Sequence, residues 1–402
     1  MKKIFICIIS LLLFLSNINA LDIDISSKEA VVYNLNDDKV IYEKNSNEQT
    51  KVASLTKIMT CLVSLENISN LDDTVTVEYQ DLIGLKGYAV AGFRVGDEVT
   101  YKDLLYALML PSAADAANIL ARSISGSKEE FVKLMNDKVS KLNLKNTSFS
   151  NAIGMDDDNY STASDMAVIL KEAIKNETFK ELYNTTTYTT TNNIKLTKTT
   201  DDTARKSNLD ISKLTGSKTG FTNEAGYCLA STATYSDINY LVVTLNADKF
   251  PNHIKDTLTL YNYFDTNYSY KTILKDKQVI RTIKVKHSKT KKYDIVSNKE
   301  IKKYLSNDVD LSKIEYKYSG IDTLNRKIKK GDYLGKVKIM YQGDILDTYK
   351  VYLDKDIKYY NYYLLLIPLV IIILIIRIKI KLKKSKRKIK RPFKRKRWFW
   401  HT

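Results

Sequence analysis

The chain has 402 residues, enough for two domains with a sizeable core, and its formal net charge is +18. Most of that charge lies at the ends, because residues 377–402 hold 14 Lys or Arg and no acid, and residues 1–20 hold two Lys and no acid. The residues between them hold 48 cations against 46 acids, so the basic isoelectric point reflects the tail and gives no support to a nucleic-acid partner.

The N-terminus has the order of a secretory signal peptide. Two lysines precede the apolar run "IFICIISLLLFL", and the small-residue stretch "SNINA" follows it. We predict a signal peptide over residues 1–20, cut after Ala20, so that the mature chain is exported. Its two remaining cysteines, Cys61 and Cys228, are too few for a disulfide framework and are predicted to be buried and unpaired.

Residues 21–265 are predicted to form an α+β domain. The stretches "AVVYNL" and "KVIYEK" predict a β-hairpin, and "GYCLASTATY" with "NYLVVTLNA" predicts a second one. Residues 54–176 are predicted to be mainly helical, with Thr100 and Asp103 typical of a capping box. Strands and loops are expected over residues 183–202, and "HIKDTLTLYNYF" predicts a closing helix.

The sequence changes character after residue 265. Residues 266–357 contain short alternating runs such as "VIRTIKVKH" and "YLGKVKIMY", which predict a small all-β domain. Residues 358–376 include "YYLLLIPLVIIILII" and are predicted to be a transmembrane helix, near the lower length limit for a membrane span. The basic tail, residues 377–402, is then expected in the cytoplasm. The protein is therefore predicted to be a single-pass cell-membrane protein whose bulk lies outside the membrane.

The first stretch that points to chemistry is "ASLTKIMT", with Ser54 three residues before Lys57 at the start of an apolar helix. Side chains at this spacing lie on one face of a helix and within reach of each other. A serine nucleophile needs a base, and lysine can be that base where burial or a nearby cation favours its neutral amine. The three histidines lie in polar or tail contexts and no G-x-S-x-G stretch occurs, which leaves little support for a Ser-His-Asp triad. On its own, S-x-x-K is a weak signal, and a surface helix with a serine N-cap and a lysine in its first turn is the commoner explanation.

Two further motifs make the first one specific. "TGSKTGFTNEAGYCL" places Lys218, Thr219 and Gly220 just before a strand, and an edge strand with a cation, a hydroxyl and a glycine can bind an extended peptide that ends in a carboxylate. Ser112 lies at a helix junction between the other two motifs. It is also predicted to be the N-cap of the next helix, with Asp115 completing the box. The occurrence of all three motifs in this order argues against coincidence.

With these motifs the sequence resembles the penicillin-binding serine D-alanyl-D-alanine carboxypeptidases of the low-molecular-mass, membrane-anchored kind. The resemblance covers residues 29–355 and includes "VASLTKIMT", "MLPSAADAAN", "DDDNYSTASDMA", "GSKTGFTNEAGYCL" and "IKKGDYLGKV". It implies a β-lactamase/transpeptidase-like domain, an antiparallel sheet with helices on both sides plus a helical subdomain, followed by a small all-β domain. It also implies removal of the terminal D-alanine from peptidoglycan stem peptides outside the membrane, inhibition by β-lactam antibiotics, and no cofactor or metal.

The resemblance assigns roles to the motif residues. Ser54 forms the acyl-enzyme, Lys57 takes its proton, and Ser112 passes a proton to the departing D-alanine. Lys218 and Thr219 hold the substrate carboxylate, while the backbone N–H groups of Ser54 and of the residue after the K-T-G motif form the oxyanion hole. The substrate-binding residues are Lys218, Thr219, Gly220 and Phe221.

The middle motif departs from the family pattern. The family usually has S-x-N, but here Ser112 is followed by two alanines, the second of which is Ala114. The amide that contacts the substrate peptide is therefore absent, and Asn118, one helical turn further on, is a candidate substitute. Many relatives use an extra cation for the terminal carboxylate, for which Lys249 and His253 are the candidates.

Three alternatives remain open from the sequence. A catalytically weak sensor or scaffold would bind peptidoglycan or β-lactam without turnover, and the missing amide is its only support. A β-lactamase is disfavoured, because no E-x-x-L-N element follows residue 150. Transpeptidase or endopeptidase activity is also possible, because an acyl-enzyme can pass its acyl group to water or to an amine.

Overall fold

The computed structural model describes residues 21, 23–155 and 159–389 of the chain. The predicted signal peptide lies outside the described residues. The contacts divide the chain into two compact units, with the boundary between Asn267 and Tyr268. Each unit buries a hydrophobic core of its own.

The first unit mixes strands and helices. Its strands are β1 (Glu29–Asn34), β2 (Lys39–Lys44), β3 (Thr50–Lys51), β4 (Thr74–Thr76), β5 (Glu98–Thr100), β6 (Tyr160–Ser161), β7 (Thr187–Thr189), β8 (Lys195–Thr197), β9 (Leu214–Thr222), β10 (Gly226–Tyr235) and β11 (Ile238–Ala247). Its helices are α1 (Thr56–Asn67), α2 (Tyr79–Leu82), α3 (Tyr101–Met109), α4 (Ala114–Ser125), α5 (Lys128–Lys141), α6 (Ala163–Ala173), α7 (Glu177–Asn184), α8 (Thr199–Lys206) and α9 (Asn252–Asn267).

The main sheet has five antiparallel strands in the order β2-β1-β11-β10-β9. Both predicted hairpins, β1–β2 and β10–β11, are confirmed. Side chains alternate between the two faces of the sheet. Val31 and its cross-strand partner Val243 join the core with the helices of residues 56–173, whereas Thr244 faces α9 and contacts Thr257. The sheet therefore carries helices on both faces, which is the predicted α+β architecture.

Most of the helices in the first unit were predicted correctly from capping residues and apolar periodicity in the sequence. The Thr100 side chain accepts a hydrogen bond from the backbone N–H of Asp103 at 3.0 Å, as the capping pair predicts. The segment over residues 183–202 was expected to contain only strands and loops, but α7 extends to Asn184 and α8 begins at Thr199. The helix α8 was missed because its sequence, "TTDDTARK", has almost no apolar residue to mark a buried stripe.

The second unit is all-β up to Tyr352. Its strands are β12 (Tyr268–Leu274), β13 (Val279–Val285), β14 (Lys292–Val296), β15 (Ile301–Ser306), β16 (Glu315–Gly320), β17 (Thr323–Leu324), β18 (Tyr333–Tyr341) and β19 (Asp344–Tyr352). They form one sheet of two strands and two sheets of three strands around a core that includes Ile295, Leu324 and Val337. The predicted all-β C-terminal domain is therefore confirmed.

The second unit ends in a helix, α10 (Tyr363–Ile389), whose apolar N-terminal half leads into a basic C-terminal half. None of the helices in the described part of the chain is long and apolar enough for a membrane crossing. The transmembrane helix therefore stays a prediction.

Candidate active site

Ser54 lies in a tight turn at the edge of the main sheet. The turn is one 3-10 helix, Ala53–Leu55, immediately before α1, so Ser54 is not the capping residue of an ordinary surface helix. Ala53 has a φ of +47°, a left-handed conformation that is uncommon for a residue with a side chain. Gly154 packs against this turn so closely that a Cβ there would lie 2.0 Å from the Ala53 carbonyl oxygen. The turn that presents Ser54 therefore depends on a glycine from a distant loop.

Lys57 occupies the first turn of α1 and is only 1% exposed. Its Nζ lies 3.1 Å from Oγ of Ser54 and donates to the backbone carbonyl of Ile153 at 2.6 Å. Burial lowers the pKa of Lys57 to about 7, against an opposing effect of Asp115. An amine with this pKa is largely neutral at slightly alkaline pH, so it can accept the proton of the Ser54 hydroxyl.

Ser112 lies between α3 and α4 with a φ of +65°. The prediction that it caps α4 is wrong, because the N-cap position is Ala113 and no side chain caps this helix. The Asp115 carboxylate is used differently, since it accepts hydrogen bonds from the backbone N–H groups of Ala91 and Gly92 at about 3 Å. The hydroxyl of Ser112 is thus not bound to the end of its own helix and points to another element.

That element is β9, which carries the K-T-G motif at the open edge of the main sheet. Nζ of Lys218 donates to Oγ of Ser112 at 2.7 Å and to the carbonyl of Thr219 at 2.8 Å. Burial, followed by the charges of Lys57 and Lys198, holds the pKa of Lys218 well below its usual value. Two buried amines thus lie below one site, each beside a serine hydroxyl.

Gly220 lets β9 approach the nucleophile turn. A Cβ at this position would lie 3.1 Å from the backbone nitrogen of Ser54, tighter than ordinary packing allows. The close approach brings the backbone of β9 beside the N–H of Ser54. Such an arrangement of strand and turn can supply two N–H donors to one oxygen.

The three motifs open into one cleft of about 610 Å³. Six of the seven predicted site residues line this cleft: Ser54, Lys57, Ser112, Thr219, Gly220 and Phe221. The seventh, Lys218, is buried and reaches the cleft through its contact with Ser112. The structure therefore brings together residues that lie more than 160 positions apart in the chain.

Sequence reasoning missed an aromatic wall on one side of the cleft. The exposed ring of Phe221 stacks on Tyr227 with centroids 4.2 Å apart, and Tyr227 stacks on His253 at 5.4 Å. Phe250 completes the group. Tyr227 could have been inferred from the hairpin, because it is the cross-strand partner of Phe221, whereas no local signal marks Phe250.

The structure separates the two candidates for a carboxylate-binding cation. Lys249 is exposed and does not line the cleft. His253 does line it, but burial lowers its pKa to about 4, so its imidazole is neutral at physiological pH. Its Nδ1 is buried and has no hydrogen-bond partner among the described residues.

Sequence reasoning also missed a buried lysine close enough to Lys218 to lower its pKa. Lys198 is 3% exposed, and its Nζ donates to the carbonyl of Tyr183. Burial lowers the pKa of Lys198 to about 8. The polar sequence around it gave no reason to expect burial. Together with Lys57 and Lys218 it makes this region of the core rich in amines that are easily deprotonated.

The suggestion that Asn118 replaces the missing amide is wrong. Its side chain donates to the backbone carbonyl of Asp81 at 2.9 Å and does not line the cleft. Ala114 does line the cleft, with its backbone N–H donating to the carbonyl of Ala89 at 2.7 Å. The described part of the chain contains no group of three or more His, Cys, Asp or Glu side chains that could hold a metal ion.

Two protein-family models match this chain, one mainly over the first unit and one over the second. Residues 16–249 match the family model for D-alanyl-D-alanine carboxypeptidases, and residues 268–359 match the model for the C-terminal domain of penicillin-binding protein 5. The D-alanyl-D-alanine carboxypeptidase DacF of Bacillus subtilis is 30% identical over 344 residues, which cover 83% of this chain and 86% of that protein.

Two further similarities extend this result. A D-alanyl-D-alanine endopeptidase of Pseudomonas aeruginosa is 29% identical and matches 60% of this chain and 78% of its own length. The crystal structure of penicillin-binding protein 5 from Haemophilus influenzae covers 83% of this chain and 98% of its own, with a TM-score of 0.62 and 23% identity. The structural match shows that the fold is shared.

The low pKa of Lys57 gives a testable pH dependence. Only the neutral amine can take the Ser54 proton, so the rate at which penicillin acylates Ser54 should rise with pH, with a midpoint at about 7, and level off above it. Stopped-flow acylation with a fluorescent penicillin measures this profile. Lys57→Arg should lose about a hundredfold in rate or more and lose the midpoint, because arginine stays protonated.

The control variant for this profile is His253→Asn, which removes an imidazole that lines the cleft. Its midpoint should stay near 7, because the pKa of His253, about 4, lies outside the range that is titrated. A midpoint that remained in Lys57→Arg, or one that disappeared in His253→Asn, would contradict the assignment of Lys57 as the base.

Proposed function

We propose, from the premise that this chain belongs to the D-alanyl-D-alanine carboxypeptidase family, that Ser54, Lys57, Ser112 and Lys218 carry the family reaction. The chain is a serine-type D-Ala-D-Ala carboxypeptidase that removes the terminal D-alanine from peptidoglycan stem peptides. The observation that carries the assignment is the distance of 3.1 Å between Nζ of Lys57 and Oγ of Ser54 at the base of the cleft.

The first step is acylation of Ser54. The neutral amine of Lys57 takes the hydroxyl proton, and Oγ attacks the carbonyl carbon of the penultimate D-alanine. The negative charge that develops on the carbonyl oxygen is stabilised by the backbone N–H groups of Ser54 and Phe221. The approach of β9 at Gly220 supports this pairing, since it brings both backbones to one side of the cleft.

The second part of acylation is departure of D-alanine. Its nitrogen needs a proton as the C–N bond breaks, and the Ser112 hydroxyl supplies it. Lys218 donates to Oγ of Ser112 at 2.7 Å and can replace that proton. In this proposal the hydroxyl of Thr219, which lines the cleft, binds the terminal carboxylate of the substrate, and the ammonium form of Lys218, bonded to Ser112 behind it, attracts the same carboxylate. Lys57 then gives up the Ser54 proton to solvent and is again a neutral amine. It takes a proton from the water that attacks the ester carbonyl and passes that proton to Oγ of Ser54 as the ester bond breaks, which releases the shortened peptide and restores Ser54.

The acceptor for the acyl group is water in this proposal. Transpeptidation and endopeptidase action use the same acyl-enzyme, and one relative carries the name of an endopeptidase. The open cleft, with Phe221 46% exposed at its rim, admits either acceptor. The sensor alternative has only the missing amide of the middle motif in its favour, and a non-catalytic scaffold would not require two buried, deprotonatable lysines.

The function is tested by release of D-alanine. The purified enzyme, incubated with a stem peptide ending in D-Ala-D-Ala, should release D-alanine and the peptide shortened by one residue, measured by mass spectrometry. Ser54→Ala should abolish both this release and the penicillin adduct. The matched control is Ser64→Ala on α1, the helix that follows the Ser54 turn, because the Ser64 hydroxyl is buried without a partner among the described residues. Release by Ser54→Ala, or none by the wild type, would refute the mechanism.

Ala114 provides a second, quantitative test. An asparagine there adds about one hydrogen bond to the substrate, worth about 0.5–1.5 kcal/mol. Ala114→Asn should therefore raise the acylation rate only about threefold to tenfold, measured with the same peptide. Asn118→Ala should leave this rate unchanged, because Asn118 bonds to Asp81 and does not line the cleft. A wild type without activity that Ala114→Asn switches on would favour the sensor instead.

The C-terminal segment is proposed to anchor the enzyme in the cell membrane, with the first unit and the strands of the second unit outside. Residues 364–376 are all apolar, and Ile371 and Leu374 are about half exposed at 50% and 51%. This run spans about 20 Å at 1.5 Å per residue, less than the hydrocarbon core of about 30 Å. The exposed Ile378, Ile380 and Leu382 alternate with cations whose apolar stems can extend toward the surface, which lengthens the apolar part to about 30 Å.

Flotation tests the anchor. The full chain should float with phosphatidylcholine vesicles and stay bound in 0.5 M salt and in alkaline carbonate, because apolar insertion does not depend on charge. A chain truncated after residue 357 is the control and should remain at the bottom of the gradient. Binding that salt removes would show a peripheral attachment and contradict the spanning anchor.

A further inference from the structure

The overall charge of the chain conceals a strong difference between its two units. Residues 21–267 carry 25 Lys or Arg against 34 Asp or Glu, a balance of −9, whereas residues 268–357 carry 22 against 12, a balance of +10. The two nearly cancel, which is why the sequence between the ends looks neutral. A local excess of this size favours association of the β unit, residues 268–357, with anionic partners.

The cations are concentrated where α10 leaves the β unit. Residues 284–292 contain five lysines and no acid, and residues 326–330 contain one arginine, three lysines and no acid. We define the basic collar as six exposed residues: Lys286, Lys289, Lys291, Arg326, Lys327 and Lys358. In the part of the chain that the structure describes, none of these six forms an ion pair with an acidic residue.

Hydrogen bonds fix this collar to the segment that enters α10. The backbone N–H of Tyr360 donates to the carbonyl of His287 at 2.7 Å, and the Ser288 hydroxyl donates to the carbonyl of Lys358 at 2.7 Å. The ring of His287 contacts the hydroxyl of Tyr362 at 3.0 Å. The chain just before α10 is therefore held against the collar by three hydrogen bonds.

Cation–aromatic contacts extend the same arrangement. The guanidinium of Arg326 lies 5.2 Å from the ring centroid of Tyr362, and Nζ of Lys291 lies 5.6 Å from that of Tyr360. The tyrosines are exposed, with Tyr363 at 73%. Exposed tyrosines beside lysines are the composition of a protein surface at the headgroup level of a bilayer.

The two acids closest in the chain to Lys358 make their hydrogen bonds to groups outside the collar. Asp354 accepts a hydrogen bond from the hydroxyl of Tyr293 at 2.6 Å, and Asp356 accepts one from the backbone N–H of Lys330 at 3.2 Å. Both carboxylates are thus used within the β unit. The collar side chains are exposed, and within the described residues neither Asp354 nor Asp356 forms an ion pair with any of them.

We propose that the basic collar binds the phosphate headgroups of anionic phospholipids in the membrane that α10 enters. The inference rests on the proposed anchor, because α10 brings the collar to the headgroups. Each lysine or arginine close to an anionic leaflet raises binding about fivefold. Contact through several of them holds the β unit on the surface and restricts pivoting about residues 358–362.

Lysine reactivity in nanodiscs tests the collar. The full chain is placed in nanodiscs of phosphatidylcholine or of equal parts phosphatidylcholine and phosphatidylglycerol, and each lysine is followed by amine acetylation and mass spectrometry. Lys286, Lys289 and Lys291 should react at least about fivefold more slowly in the anionic discs, and 0.5 M salt should remove the difference. Lys336 and Lys350, a cross-strand pair exposed on β18 and β19, are the control and should not change.

Charge-reversal variants test whether the lipid effect depends on the collar lysines or only on the net positive charge of the β unit. In Lys286→Glu/Lys289→Glu/Lys291→Glu the protection of Lys327 and Lys358 should be lost, whereas Lys336→Glu/Lys350→Glu should keep it. Equal reactivity in both lipids, or protection at Lys336 and Lys350 instead, would overturn the proposal. A third outcome would also overturn the proposal: soluble poly(glycerol phosphate) protects the collar lysines in phosphatidylcholine discs, whereas phosphatidylglycerol has no effect. The ligand of the collar would then be a phosphate polymer and not a lipid.

Flotation separates the two proposals. If the chain floats with phosphatidylcholine vesicles but phosphatidylglycerol does not protect its lysines, the proposed anchor stands and the proposed lipid binding by the collar is wrong. A chain that does not float with phosphatidylcholine loses the anchor, and the collar assignment fails with it.

Discussion

The structure depends on the burial of lysine side chains beneath a single cleft. Removing an ammonium group from water is costly unless the group is paired or loses its proton. In the described residues no carboxylate forms an ion pair with Lys57 or Lys218. Each amine instead bonds to one serine hydroxyl and one backbone carbonyl. The protein therefore shifts the protonation equilibrium, which turns an unfavourable burial into a base at neutral pH.

The geometry that makes this burial useful is strained. Ala53 and Ser112 both have left-handed backbone conformations although neither is a glycine. Such positions persist only where the surroundings fix them. Three contacts fix these two turns. Gly154 packs against the carbonyl of Ala53, and Gly220 lets β9 pack against Ser54. Lys218 donates a hydrogen bond to the hydroxyl of Ser112. Strain in two short turns thus places two hydroxyls beside two amines.

The two units differ in the size of their cores and in the sign of their net charge. The first unit keeps the reacting groups within a large core and has an excess of acids outside it, whereas the second has little core and a large excess of cations. An acidic surface does not attract the anionic lipids of a membrane, while a basic one does. The division of charge therefore favours our proposal that the β unit meets the membrane surface.

The sequence by itself determined the motifs, both hairpins, most helices and the α+β class, because these depend on local periodicity and on the order of residues. It also identified Ser54, Lys57, Ser112 and the K-T-G strand, because each belongs to a short motif of fixed spacing. It could not determine that Asn118 points toward Asp81, that Ser112 does not cap α4, or that Tyr227, Phe250 and His253 form one wall. Nor could it show that Lys198, in a polar stretch, is buried. Those facts arise from packing between elements distant in the chain, and the protonation of a lysine follows from its burial, which only the tertiary structure decides.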